Sequence, residues 1–313
     1  MSKLVTVFGA SGFIGRHVVR ALAQDGWRVR AVCRHPHMAE FLMTAGNPGQ
    51  VQICRGNIRN KAAINAALAG AEAAVNLVGV LYSKGRQNFE ALHSDAAGHI
   101  AEAAAECGVR SMVHISAIGA NRTAPAHYAQ SKGDGEMRVR EAFADAVILR
   151  PSLVFGPEDD FFNKFAWIAQ YAPALPLICG GHTRFQPVYA GDVARAVAQA
   201  LTDATVRGKT FELGGPKTYS FKELMRYILA LTGRKRLLVP LPGPMAKITA
   251  AALQVPTLIL PVTPLLTVDQ VRLLADDAVV AAGAFTLADL NIRPRAIEDI
   301  VPAYLNRFRK PAG

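Results

Sequence analysis

One short stretch near the start, Leu4-Val-Thr-Val-Phe-Gly-Ala-Ser-Gly-Phe-Ile-Gly-Arg16, restricts the fold more than any other part of the chain. Its first five residues are apolar and rich in β-branched side chains, the composition of a buried parallel strand. Gly9, Gly12 and Gly15 follow, and an amphipathic run to Asp25 predicts a helix. A strand that passes through three spaced glycines into a helix is suited to a dinucleotide. Gly9 permits the tight turn, Gly12 lets backbone approach a pyrophosphate, and Gly15 lets the helix lie close to the sheet. The helix N-terminus then offers unpaired N–H groups and its positive dipole end. Gly9, Ser11, Gly12, Phe13, Ile14 and Gly15 are the first candidate cofactor contacts.

The same alternation continues. Strands are predicted over 27–33, 50–54, 73–80, 111–116, 146–150 and 209–213, with helices over 61–69, 89–107 and 126–143 between them. This predicts an α/β fold, a Rossmann-type doubly wound parallel sheet with a smaller C-terminal lobe. The expected division is a nucleotide-binding domain over 1–235, with substrate-lobe insertions after about 155, and a helical lobe over 236–313.

Composition bounds the partners. The chain has 313 residues, 51% hydrophobic and 19% charged, which is globular rather than disordered. Its net charge of +11 favours anionic partners. The only dense basic run is Arg234-Lys235-Arg236, without any nucleic-acid motif, so no nucleic acid is expected. The four cysteines lack metal-ligand spacing and the histidines form no H-x-x-x-H pattern, so no metal is expected. The chain enters its first strand at once, without a signal peptide, which predicts a cytoplasmic protein.

The second strand ends Val32-Cys33-Arg34-His35, with no carboxylate to accept from a ribose 2′-hydroxyl. Arg34 would attract a 2′-phosphate, so NADP(H) is expected over NAD(H). Asn57 and Ile58 after the third strand, and Val78 and Gly79 at the close of the fourth, are further candidate contacts, with Pro151 after the sixth.

The Gly-x-x-Gly-x-x-Gly spacing, Tyr128-Ala-Gln-Ser-Lys132 on a helix after the fifth strand, and Arg150-Pro-Ser-Leu-Val-Phe-Gly-Pro157 with its acidic continuation resemble the extended and atypical short-chain dehydrogenase/reductase superfamily. In that superfamily a Tyr exchanges the proton, a Lys four residues on holds the ribose and lowers the Tyr pKa, and a Ser or Thr polarises the substrate oxygen. The resemblance assigns the first two roles to Tyr128 and Lys132. It places the hydroxyl near Ile118, which cannot serve; Ser116 and Thr123 are the alternatives. An Asp commonly stands at the Asn57 position, where Asn keeps hydrogen-bonding capacity.

Within that superfamily, the residues over 150–165 make the chain resemble the NADPH-binding accessory subunits of respiratory complex I and their bacterial relatives. Such a protein holds NADPH structurally, beside the membrane and other complex I subunits. The expected function is therefore a non-catalytic, NADP(H)-binding subunit or assembly partner of complex I, peripheral on the cytoplasmic face of the inner membrane. Two alternatives stay open: an active NADPH-dependent oxidoreductase or isomerase using Tyr128 and Lys132, and a soluble sensor of the nucleotide pool.

The rest of the chain adds local expectations. Ser220 and Glu223 form a capping box opening a helix to Leu231, and Asp192 sits in the first turn of another. Glu158, Asp159 and Asp160 suit a helix start. Residues 248–268 carry no charge, but Pro256, Pro261 and Pro264 predict a helix, a break, and a new helix from Thr267. This region is a buried lobe or a surface facing a membrane or subunit, and Arg234, Lys235, Arg236 and Lys247 before it would suit anionic lipid. Residues 296–308 have the spacing of an amphipathic helix.

Overall fold

The computed structural model describes residues 3–83, 85, 87–259 and 266–310, with backbone alone at 252, 253 and 255–259. Six strands and their helices alternate along the first half: β1 (Leu4–Phe8), β2 (Arg28–Cys33), β3 (Val51–Arg55), β4 (Ala73–Asn76), β5 (Ser111–Ile115) and β6 (Val147–Pro151). The Thr210–Leu213 strand completes a seven-stranded sheet in which it is followed by β6, β5, β4, β1, β2 and β3. Every pairing in that sheet is parallel. This is the doubly wound Rossmann arrangement, and its order reverses between β1 and β4. A crevice opens there at the carboxyl ends of the strands.

Both faces are covered, which is why the strands read as apolar runs. Helix α1 (Phe13–Gln24) and α6 (Ala190–Thr202) pack on one face through Val18, Leu22, Val193 and Val197. Helices α2 (Lys61–Leu68), α3 (Ala96–Glu106) and α4 (His127–Ala142) cover the other through Ile64, Ile100 and Val139. Side chains alternate along each strand. Val113 and Ile115 therefore face α1 and α6, while Met112, His114 and Ser116 face α3 and α4.

A second core gathers Phe155 and Phe162, Leu175 and Leu177, then Leu224 and Ile228, and finally Val301 and Leu305. It joins α5 (Phe161–Tyr171), α7 (Phe221–Leu231), α8 (Gly243–Ile259), α9 (Val268–Leu273) and α10 (Ile297–Leu305). Ser220 and Glu223 form the capping box of α7, as expected. Asp159 accepts the N–H groups of Phe162 (2.7 Å) and Asn163 (3.2 Å) at the start of α5. Asp192 does lie in the first turn of α6, but it is fully buried and holds Arg195 and the Arg295 N–H, both at 2.6 Å.

Two expectations need correction. The fourth strand ends at Asn76 rather than Val80, because the Asn76 side chain takes the Val78 N–H (3.1 Å) and turns the chain out of the ladder. The helix predicted over 89–107 opens with a wider π-wound turn over Glu90–Asp95 that leads into α3. The apolar stretch from 248 continues a helix, as expected: α8 runs to Ile259, with Pro256 in its last turn, where a proline removes one ladder bond without ending the helix. The new helix does start at Thr267, which caps α9. Pro261 and Pro264 lie outside the described residues.

Candidate nucleotide-binding site

The glycine turn has the geometry its spacing requires. Gly9 adopts φ +80°, open to few residues other than glycine, and a Cβ there would lie 3.1 Å from the Leu77 carbonyl carbon. The Gly12 N–H closes the turn on the Gly9 oxygen (3.1 Å). A Cβ on Gly15 would stand 2.3 Å from the Gly9 oxygen and 2.5 Å from the Ala10 oxygen, so only glycine lets α1 come this close. Helix α1 starts with no side-chain cap and no acid in its first turn, leaving its positive end without an internal anion. Ser11, Phe13 and Ile14 are half-buried around it, and the Phe13 ring packs on Gly156.

The other sequence candidates stand along the same sheet edge. Arg34 is exposed just past β2. Gly56 sits beneath Val32, where a Cβ would be 2.3 Å from a Val32 methyl. Exposed Asn57 accepts the Arg59 N–H (3.1 Å), using its side-chain oxygen in its own turn. Ile58 and Val78 pack on the α3-side core. Pro151 is buried at the end of β6, and its carbonyl accepts the Ile118 N–H (3.1 Å).

Tyr128, Lys132 and Glu136 lie four apart on α4, on one face. Arg150 forks onto Glu136 with bonds of 2.8 and 2.6 Å, fixing α4 against β6. The Lys132 ammonium donates to the Ile115 carbonyl (3.1 Å) and lies 3.5 Å from where a Gly79 Cβ would be. The loop after β4 thus passes beside Lys132, at a distance that a Cβ at position 79 would also tolerate. Lys132 is 3% exposed, and this burial lowers its pKa to about 8 against the opposing pull of Glu136. Burial raises the Tyr128 phenol to about 12, so it keeps its proton at neutral pH.

Two histidines complete the arrangement, and the sequence reading missed both. His93 accepts the Val80 N–H at Nε2 (2.9 Å), so its proton is on Nδ1, which faces Ser131 Oγ at 3.0 Å. Ser131 in turn donates to the Tyr128 carbonyl (2.9 Å). The imidazole also meets the Tyr128 ring edge-on at 5.3 Å. It therefore ties the cofactor-side loop to the turn that carries Tyr128. Burial, with the Lys132 charge and His114 adding to it, lowers His93 to about 2. His114 takes the Asn76 amide on Nδ1 (3.2 Å), and burial followed by the Lys132 charge lowers it to about 3. His114 Nε2 and Ser116 Oγ are buried polar atoms with no partner among the described residues.

The third position of the resemblance is not a hydroxyl: half-buried Ile118 occupies it. Ser116 is 3% exposed, and its N–H still continues the ladder to Leu149 (2.8 Å). Thr123 is exposed and donates its hydroxyl to Asn121 (3.0 Å). A cavity of about 710 Å³ adjoins the Tyr128 turn, lined by Tyr82, Phe89, His127, Ser131 and Asp269 among others.

The glycine cradle and uncapped helix, the close approach at Gly79 and the buried Lys132 fit a dinucleotide. Fold and site together define a short-chain dehydrogenase/reductase type of NAD(P)-binding protein. Known proteins agree. A profile of a family described as NAD(P)H-binding matches residues 9–161. In structure, the chain resembles the NADPH-dependent quinone oxidoreductase QOR2 of Escherichia coli, with a TM-score of 0.75 at 19% identity, over 96% of this chain and 99% of that one. The chain is 34% identical to the NADH dehydrogenase [ubiquinone] 1 alpha subcomplex subunit 9 of Arabidopsis thaliana, over 98% of this chain and 78% of the relative. It belongs to that subunit's family. A ceramide reductase of Caulobacter vibrioides is 32% identical over 80% of this chain and 77% of its own length.

Proposed function

We propose that this chain is an NADP(H)-holding accessory subunit of respiratory complex I, in which the nucleotide serves structure rather than turnover. Kinship with the alpha subcomplex subunit over 98% of this chain and 78% of the relative carries this reading. The site supports it: the cofactor residues stand together, while Ile118 occupies the position expected to polarise a substrate. Without that help at the developing charge, a hydride step loses a large stabilising contribution.

The residues that would hold the nucleotide are the 9–15 turn, Gly79 and Lys132, with Arg34 at the 2′-phosphate. Bound NADPH supplies a hydride donor. Around it, Lys132 orients the ribose, and Tyr128 keeps its proton because burial raises its pKa. Arg34 at the end of β2, without a neighbouring carboxylate, supports NADP(H) over NAD(H). Peripheral placement at a membrane, on its cytoplasmic side, is part of the reading. Among the described residues, no helix is long and apolar enough to cross a membrane.

The test is to purify the tagged full chain from its host in mild detergent and analyse what accompanies it. Near-stoichiometric NADP(H) together with complex I subunits supports the proposal. A chain that carries NAD(H), or that arrives free of those subunits, contradicts it.

One observation favours a second reading. Tyr128 and Lys132 keep their spacing on one helix face, and a reductase is among the relatives. NADPH oxidation dependent on an added ceramide-class lipid, abolished by Tyr128→Phe, would establish a reductase instead.

A further inference from the structure

Two stretches of sequence that contribute residues to the second core carry cations and no carboxylates. Residues 161–191 and 224–268 contain seven Lys or Arg and not one Asp or Glu, in a chain with 24 acidic residues. Chance scatter would place several acids there. The same stretches hold six of the large apolar side chains that remain exposed. Trp167 and Tyr171 are on α5, Leu237 and Val239 on the Leu237–Leu241 strand, and Met245 and Ile248 on α8.

The backbone brings these elements together. The Leu237–Leu241 strand pairs in parallel with Ala174–Ile178, which directly follows α5. Arg236 donates to the Ala169 and Gln170 carbonyls at the end of α5 (2.9 and 3.2 Å), and the Leu237 N–H reaches the Pro173 oxygen (3.3 Å). Leu237 is thus held beside the end of α5, where the Tyr171 and Trp167 rings touch at 5.4 Å. Helix α8 begins two residues after that strand; its Ala246 and Ala250 are buried, while Met245, Lys247 and Ile248 are not. Tyr171 is 74% exposed, Leu237 71% and Ile248 72%. A monomer rarely leaves such side chains grouped in water without a use for them.

We infer that this face docks on an anionic membrane surface. The inference rests on the accessory-subunit reading and gives it a membrane contact. Trp and Tyr favour the boundary between headgroups and acyl chains. Exposed Lys235 and Lys247 lie beside the apolar residues, and their stems can follow that surface while the ammonium groups meet lipid phosphates. These stretches themselves contribute no carboxylate to be repelled by such a surface. A protein partner of ordinary composition would not select against acids in both stretches; an anionic bilayer does. The contact is interfacial, with apolar side chains entering only the headgroup boundary.

Flotation of the purified full chain with phosphatidylcholine vesicles, with and without phosphatidylglycerol, tests this. The chain should float with the anionic vesicles and stay behind with the neutral ones. Lys235→Gln combined with Lys247→Gln should weaken partitioning by roughly fivefold for each cation removed. Ile248→Glu should release the chain, and an unchanged melting temperature would show each variant folded. Equal binding to both vesicle types, or binding untouched by both variants, overturns the inference. So does a face that ignores vesicles but is protected by a protein subunit. A chain that ignores vesicles yet co-migrates with complex I overturns only the docking face. One that binds vesicles without co-migrating overturns the subunit reading.

Discussion

Asp269 caps the helix that carries Tyr128: its Oδ2 accepts the Tyr128 N–H at 2.9 Å, and its Oδ1 accepts the His127 N–H at 2.8 Å. Helix α4 has no side-chain cap of its own, since Ala126 stands at its N-cap. The carboxylate comes instead from α9, so the second core holds the first turn of the site. Asp269→Ala should cost about 1–2 kcal/mol of stability, and Asp269→Asn less. Urea titration measures this. An Asp269→Ala midpoint equal to the parent's would mean the contact does not hold the two parts together.

Gly15→Ala should fail more severely. Its Cβ would be 2.3 Å from the Gly9 oxygen, a backbone atom that cannot swing aside. We expect a loss of at least about 1–3 kcal/mol and the disappearance of co-purifying nucleotide. Gly243 has open space around it, and Gly243→Ala serves as the control that should retain both. Intact nucleotide content in Gly15→Ala would contradict the role given to the turn.

The two buried imidazoles set an acid limb. Both stay neutral in the fold, His93 until about pH 2 and His114 until about pH 3, against an ordinary value of 6.5. Below 6.5 the unfolded chain takes up protons that the folded chain refuses. Their contribution is therefore complete above that pH and is lost as pH falls towards the folded values. Each histidine should remove about 1.4 kcal/mol per pH unit in that window. Denaturation midpoints between pH 7 and 5 should fall for the parent and fall less steeply for His93→Gln. A parallel decline in both would rule out His93 as the cause.

Arg34 predicts cofactor preference. Arg34→Glu replaces an attraction for the 2′-phosphate with repulsion and should reduce the NADPH-over-NADH preference by roughly 10- to 100-fold. Nucleotide titration followed by NADPH fluorescence measures it. An unchanged ratio would place the 2′-phosphate elsewhere.

What the sequence disclosed was local. The strand, three glycines and helix over 4–24 could be read because spacing and backbone demand coincide within one turn. Tyr128 and Lys132 could be read because four residues make one helix face. The histidine link was hidden: His93 and Ser131 are 38 residues apart, and a buried histidine in an Ala-rich helix has no pattern of its own. The Asp269 cap was hidden for the same reason, since it closes a separation of 141 residues to Tyr128.

The central claim is that the chain works as a nucleotide-holding part of complex I. The most direct measurement is native-gel fractionation of host membranes in mild detergent, with detection of this chain and in-gel NADH dehydrogenase activity. The account predicts one band containing both, with the chain lost from that band in the Gly15→Ala variant. Migration of the parent chain alone, in the soluble fraction and away from that activity, would contradict it.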